Sequence, residues 1–220
     1  MTKIISPYAA LAFDALYCKL KNLKSSENIS LKKWKKVCNF DDLSEDSDSP
    51  LFVTWDTIDP KSANDQDLEL EKELRGCIGN FGELPVEDGI KEYSLIASLE
   101  DPRFPPVKLK ELKNLQCTVT LLKNFRKGKD KYDWTLGKNG IRISFHASST
   151  STRRLSATFL PDVALEQGWD KDETLKHLIR KAGGRLSNWN DYDIELTKYE
   201  GEKGSVTYDE YLTLRHKLLK

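Results

Sequence analysis

Two glycines three residues apart, inside a segment otherwise suited to a strand, set the tightest condition on how this chain folds. The segment is Leu74-Arg75-Gly76-Cys77-Ile78-Gly79-Asn80-Phe81. In an extended backbone successive side chains alternate, so Arg75 and Cys77 share one face while Leu74, Gly76 and Ile78 share the other. Glycine has no Cβ, which lets another backbone or a ligand come close. A cation beside a thiol lowers the thiol's pKa, so the segment reads as a reactive or ligand-reading edge. Cys77 is then the candidate catalytic residue, with Arg75 supporting a thiolate and Gly76 and Gly79 clearing space for a ligand. The competing reading makes Cys77 a small buried hydrophobe, Arg75 a member of an ion pair, and the glycines a device for close strand packing.

A second candidate follows in Asp101-Pro102-Arg103-Phe104-Pro105-Pro106, which holds three prolines in six residues and fixes a stiff turn. Arg103 carries a planar fork of five donors on that support, a shape suited to a carboxylate or phosphate. The plainer alternative is a local pair with Asp101. The only histidines are His146, His177 and His216, and the chain contains no HExxH, no G-x-S-x-G and no phosphate-binding glycine loop. A Cys77–His146 dyad requires proximity in space, which sequence alone does not supply. No metal site and no cofactor are expected. Among the large rings, Trp55, Trp134 and Trp169 read as core, and Trp189 in a polar turn is the best candidate for an exposed ring.

Periodicity predicts the elements. Ser6-Pro7 starts a helix with Leu11, Ala15, Leu16, Leu20 and Leu23 on one stripe and Cys18 off its centre. Residues 24–49 read as a polar surface loop with a short helix around Trp34, and residues 59–73 as a second loop. Strands are predicted at 51–55, 75–81 and 117–122, and helices at 89–99 and 161–167. A hairpin is predicted in which 134–136 faces 141–145 across Gly137 to Gly140. A further strand at 155–160 is followed by a helix that Asp170 and Glu173 open as a capping box and Gly183-Gly184 closes. A strand at 194–199 and a helix at 208–214 complete the chain. Strands scattered among helices argue an α+β fold with a mostly antiparallel mixed sheet flanked by helices.

The 220 residues carry 35 basic and 35 acidic side chains, so the formal net charge is zero and a phosphate-backbone binder has little electrostatic footing. A nucleic-acid partner is therefore not expected, although Lys32-Lys33-Trp34-Lys35-Lys36 is a local basic cluster. Four irregularly spaced cysteines without a CxxC pair read as reduced intracellular thiols. No apolar stretch approaches the roughly 18 residues that span a bilayer, and the mean hydropathy is −0.59. A soluble protein is expected, cytoplasmic with access to the nucleus and without a membrane partner.

The 74–81 and 101–106 segments, together with Leu160-Pro161-Asp162-Val163-Ala164, resemble the AMMECR family, named after a chromosomal region linked to Alport syndrome, midface hypoplasia and elliptocytosis. The resemblance covers nearly the whole chain and points to a eukaryotic member. It implies a single AMMECR-type domain over residues 1–220, a larger α+β core with a smaller lobe packed against it. The family has no settled reaction, so the resemblance bears on fold more than on function. It places Arg75, Gly76, Cys77, Gly79, Asp101 and Arg103 in a shared core, and it implies by analogy a functional link to Memo-type and radical-SAM proteins. Two functional expectations follow. One is a pocket for a small anionic or carbonyl-containing ligand, lined by Arg75, Cys77 and Arg103. The other is a scaffold or adaptor that acts through protein partners.

Overall fold

Ser6 and Pro7 open the first helix as the sequence predicts. In α1 (Pro7–Leu20) the Ser6 hydroxyl accepts from the N–H of Ala9, and proline stands where its missing N–H is no loss. Every residue from Pro7 to Phe13 is buried, so this helix is enclosed well beyond a single stripe, and Cys18, expected off that stripe, is buried too. The computed structural model describes residues 5–23, 29–40, 48–59, 72–147, 151–187 and 189–220. The chain divides into two compact units, Met1–Leu121 with Lys203–Lys220, and Leu122–Glu202.

The first unit contains α1, α2 (Leu31–Val37), β1 (Leu51–Ile58), β2 (Lys72–Asn80), α3 (Val86–Leu99), a 3₁₀ turn (Leu109–Asn114) and the start of β3 (Leu115–Lys127). β1 pairs antiparallel with both β2 and β3. Alternation assigns the faces of this sheet. Leu51, Val53 and Trp55 of β1 and Leu115, Cys117, Val119 and Leu121 of β3 join Phe13, Leu16, Ile90 and Tyr211 in one hydrophobic core. Thr54, Asp56, Gln116, Thr118 and Thr120 therefore point to the opposite face.

The second unit holds the rest of β3, β4 (Asn139–His146), β5 (Arg154–Phe159), α4 (Val163–Glu166), α5 (Lys171–Lys181), a 3₁₀ turn (Trp189–Asp191) and most of β6 (Glu195–Thr207). β4 pairs antiparallel with β5 and β6. Trp134, Ile141, Ile143, Phe145, Leu155, Leu175, Leu178 and Ile179 form its core. The Asp170–Glu173 capping box opens α5 as predicted, and Gly168 and Gly183 take positive φ after α4 and α5. The end of β6 and the last helix, α6 (Tyr208–Leu218), return to the first unit. The strands are hydrogen-bonded in the order β2-β1-β3-β6-β4-β5. The class is α+β with an antiparallel sheet, as expected.

The predicted hairpin is not formed. Residues 134–136 are not a strand: Thr135 accepts from the N–H of Asn139 and donates its own N–H to the Asn139 side chain, closing a turn, and Trp134 packs into the core. β4 takes β5 and β6 as its neighbours instead. α3 starts at Val86 and not Gly89, with Pro85 as N-cap, so Gly89 lies inside the helix, where a Cβ would come within 3.0 Å of Leu51. β2 starts at Lys72, in what reads as loop by sequence. β3 and β6 run to 13 residues each, past the end of the hydrophobic alternation, and side chains join them there, Lys123 to Glu202 and Asn124 to Glu200. The short helix expected around Trp34 is α2. Residues 24–28, 41–47 and 60–71 of the two predicted loops lie outside the described residues.

Candidate functional site

Cys77 sits on β2, directly opposite Thr54 of β1. Its N–H donates to Asp101 Oδ2 at 2.9 Å and its carbonyl accepts from Arg103 Nη2 at 3.0 Å. Both backbone groups thus turn away from β1. Thr54 and Cys77 form a pair without ladder hydrogen bonds, the arrangement that brings facing side chains closest. The Thr54 hydroxyl accordingly donates to the Cys77 sulfur at 3.2 Å. β2 ends the strand order, so Asp101 and Arg103 occupy, at this residue, the place of a missing neighbour strand.

The proline turn makes that possible. Arg103 donates from its backbone N–H and from Nε to Asp101 Oδ1 at 3.1 and 3.0 Å, and from Nη2 to Oδ2 at 2.7 Å. Asp101 is only 3% exposed. The Arg103 hydrogen bond, helped by the N–H groups of Cys77 and Arg103 and opposed by burial, holds its carboxyl well below the usual carboxylate range. The Arg103 side chain remains 52% exposed.

Arg75 has a different task. The β1–β2 register shifts between Trp55 and Asp56, whose partners are Gly76 and Leu74, so Arg75 is the extra residue of a β-bulge. Its Nε donates to Glu111 Oε1 at 3.0 Å and its Nη2 to the Pro105 carbonyl at 2.8 Å. The other Glu111 oxygen accepts from the N–H of Lys108. Arg75 and Arg103 both lie near the Phe104 ring, at 6.0 and 5.5 Å from its centre. Arg75 therefore braces the turn that carries Arg103, and the expectation that it supports a thiolate is corrected. Burial pushes the Cys77 thiol up from its ordinary value; the Thr54 hydrogen bond and Arg103 pull it down, while Asp56 and Asp101 add to the rise. The balance favours the neutral thiol.

The glycines also have internal reasons. A Cβ on Gly76 would stand 2.0 Å from the Ala97 carbonyl of α3, and one on Gly79 would stand 2.4 Å from both the Leu51 carbonyl and the Phe52 ring. Both positions serve close packing of the protein on itself. The structure thus brings Arg75, Gly76, Cys77, Asp101 and Arg103 into one network, while Gly79 packs against β1. His146 belongs to the other unit. His177 stacks on Trp169, with ring centres 3.8 Å apart. Trp189, expected as an exposed ring, is half-buried, with the Lys131 and Lys176 ammonium groups 4.5 and 5.5 Å from its centre.

Sequence reasoning missed the rest of the Cys77 face. Thr54 and Asp56 follow Cys77 onto it through the β1–β2 register, and Gln116 and Thr118 through the β1–β3 register. Val206 lies in the first unit's core and a Cβ on Gly204 would strike Ser6, so Lys203, out of phase with both, points to the same face. Lys203 is exposed, yet enough protein surrounds its ammonium to lower its pKa, against the opposing pull of Asp56 and Cys77. The alternation of polar residues at 54, 56, 116 and 118 was the available signal; Lys203 left none.

A family model described as AMMECR1 matches residues 9–204. The uncharacterized protein YOR289W of Saccharomyces cerevisiae is 41% identical over 94% of this chain and 87% of its own length. The uncharacterized protein At2g38710 of Arabidopsis thaliana is 42% identical over 77% of this chain and 76% of its own. Among solved structures, the uncharacterized protein PH0010 of Pyrococcus horikoshii is similar with a TM-score of 0.63 at 25% identity, covering 90% of this chain and 89% of that one. No helix among the described residues is long and apolar enough to cross a membrane.

Proposed function

We propose that this chain, which belongs to the AMMECR1 family, binds a small anionic or carbonyl-containing ligand beside Cys77. The supporting observation is the state of Arg103. Two hydrogen bonds to Asp101 and one to the Cys77 carbonyl fix its guanidinium, yet its Nη1 has no protein partner among the described residues and the side chain is half exposed. A pre-oriented guanidinium with free donors next to a thiol is suited to an oxygen acceptor, and the ordering cost of binding falls because the fork is already held. Cys77 enters as a neutral thiol, since burial opposes its ionisation. Asp101 and Gly76 position these groups and Arg75 braces their turn.

Ligand-observed NMR with a library of small carboxylates, phosphate monoesters and carbonyl compounds tests this reading. At least one class should bind the wild type and lose tenfold or more in affinity in Arg103→Met. No binding by any class, or equal binding by the variant, overturns it.

The adaptor reading has its own support in Leu74 and Leu109, two exposed apolar side chains on the strand and turn that the Arg75–Glu111 pair joins. A Leu74→Asp/Leu109→Asp variant that keeps its fold yet crosslinks the same proteins in cells would sink that alternative. Four free cysteines support a reducing compartment, the cytoplasm with access to the nucleus. A working link to Memo-type and radical-SAM proteins is supported by family analogy alone.

A further inference from the structure

We infer that the ligand is bifunctional: its anionic or carbonyl end meets Arg103, and an N–H or O–H donor several atoms away completes Gln116. The inference rests on the reading of the Cys77 face as a binding site. Gln116 of β3 stands directly opposite Asp56 of β1, on the face that Thr54 and Cys77 share. It is 2% exposed, and its Oε1 is buried with no hydrogen-bond partner among the described residues. Folded proteins leave few buried polar atoms unpaired, and each one that remains calls for a partner or a role.

The chemistry of the missing partner follows from the atom. A carboxamide oxygen only accepts, so a donor completes it. The geometry limits how that donor is attached. Gln116 lies two strands from Cys77 and two residues further along them, about 12 Å at the usual strand spacing and rise, so a donor adjacent to the carboxylate or carbonyl does not reach both ends. The charges along the path agree with a polar chain: Asp56 lies between the two ends, and Lys203 acts on both Asp56 and Cys77. A simple carboxylate would satisfy Arg103 and leave Gln116 as it is. An ω-hydroxy or ω-amino carboxylate, or a molecule of the same outline with an amide N–H at its far end, would satisfy both.

The test is calorimetric titration of the wild type and Gln116→Met with hexanoate, 6-hydroxyhexanoate and 6-aminohexanoate, and with lactate as the short control. Methionine keeps the length of the side chain and removes the acceptor. The wild type should bind at least one six-carbon donor-bearing probe tenfold or more tighter than hexanoate, with no such gain for lactate. Gln116→Met should bind hexanoate within twofold of the wild type and lose the preference. Binding of all the probes alike by the wild type, or a preference that survives in Gln116→Met, overturns the inference while the Arg103-dependent reading stands. No binding of any probe by the wild type overturns the inference, and the separate library experiment then decides the reading beneath it. The ligand-free proteins give a second measurement. Removing an unsatisfied buried acceptor should raise the Tm by roughly 2–6 °C. A lower Tm in Gln116→Met would mean that the oxygen is already satisfied in the folded protein, and overturns the inference as well.

Discussion

A single carboxylate, Asp101, stands in for a neighbouring strand at Cys77, and its charge is what lets it hold Arg103 as well. Asp101→Asn keeps the shape but loses the charge-assisted bonds, and should cost about 2–3 kcal/mol in urea unfolding. The pH dependence has a definite sign. The folded carboxyl ionises well below its ordinary value of 3.8, so its stabilisation is fully present above that value and is lost as the pH falls through and below it. The gap between wild type and Asp101→Asn should therefore hold from pH 7 to pH 5 and close in acid. The thiol behaves in the opposite sense. Cys77 is raised above its ordinary 9.0 by burial, and the Thr54 hydroxyl is the largest influence lowering it. Alkylation of Cys77 by iodoacetamide, followed by peptide mass spectrometry, should reach half its maximal rate above pH 9, and later still in Thr54→Val. Rapid labelling at pH 7 would contradict this account of the site.

At the scale of elements, two close approaches determine where the site lies. β2 meets α3 at Gly76, where a Cβ would stand 2.0 Å from a backbone carbonyl that has little freedom to yield. Gly76→Ala should lose about 1–3 kcal/mol or more, measured as a fall in the urea midpoint, and should disturb the Asp101–Cys77 bond one residue away. A retained midpoint would show that α3 shifts without cost. α6 is joined to α1 through Asp14, which is buried and accepts from the Tyr211 hydroxyl at 2.8 Å and from Arg215 Nε at 3.0 Å. Asp14→Ala leaves the Arg215 guanidinium without its carboxylate, and a loss of about 3–5 kcal/mol is expected. A loss under 1 kcal/mol in equilibrium unfolding would mean that Arg215 finds solvent at once.

At the scale of the molecule, the described residues form two hydrophobic cores, one in each unit, and β3 and β6 contribute residues to both units. The candidate site belongs wholly to the first unit. Leu178, fully buried in the second, offers a test of how local each core is. Leu178→Ala should cost about 2–5 kcal/mol and raise amide hydrogen exchange in β4, β5 and α5 before α1 and α3. Simultaneous loss of protection in all five would show that the two cores unfold as one.

The sequence alone determined what depends on near neighbours. Ser6-Pro7, the Asp170–Glu173 box and the glycines after α4 and α5 act within one helical turn, so the helix ends they set are where local chemistry puts them. The alternation of β1 and β4, the α+β class and the resemblance to the AMMECR family were legible for the same reason. Where the predicted hairpin at Trp134 failed, a local pattern of three residues was outweighed by the core that the ring could enter. Tertiary structure alone decided the chemistry of the site. Arg75 is two residues from Cys77 yet pairs with Glu111, 36 residues away, because an ion pair follows distance in space and not along the chain. The raised thiol of Cys77, the buried oxygen of Gln116 and the arrival of Lys203 on their face depend on desolvation and on strand register. Both are properties of the assembled sheet, and no short stretch of sequence carries them.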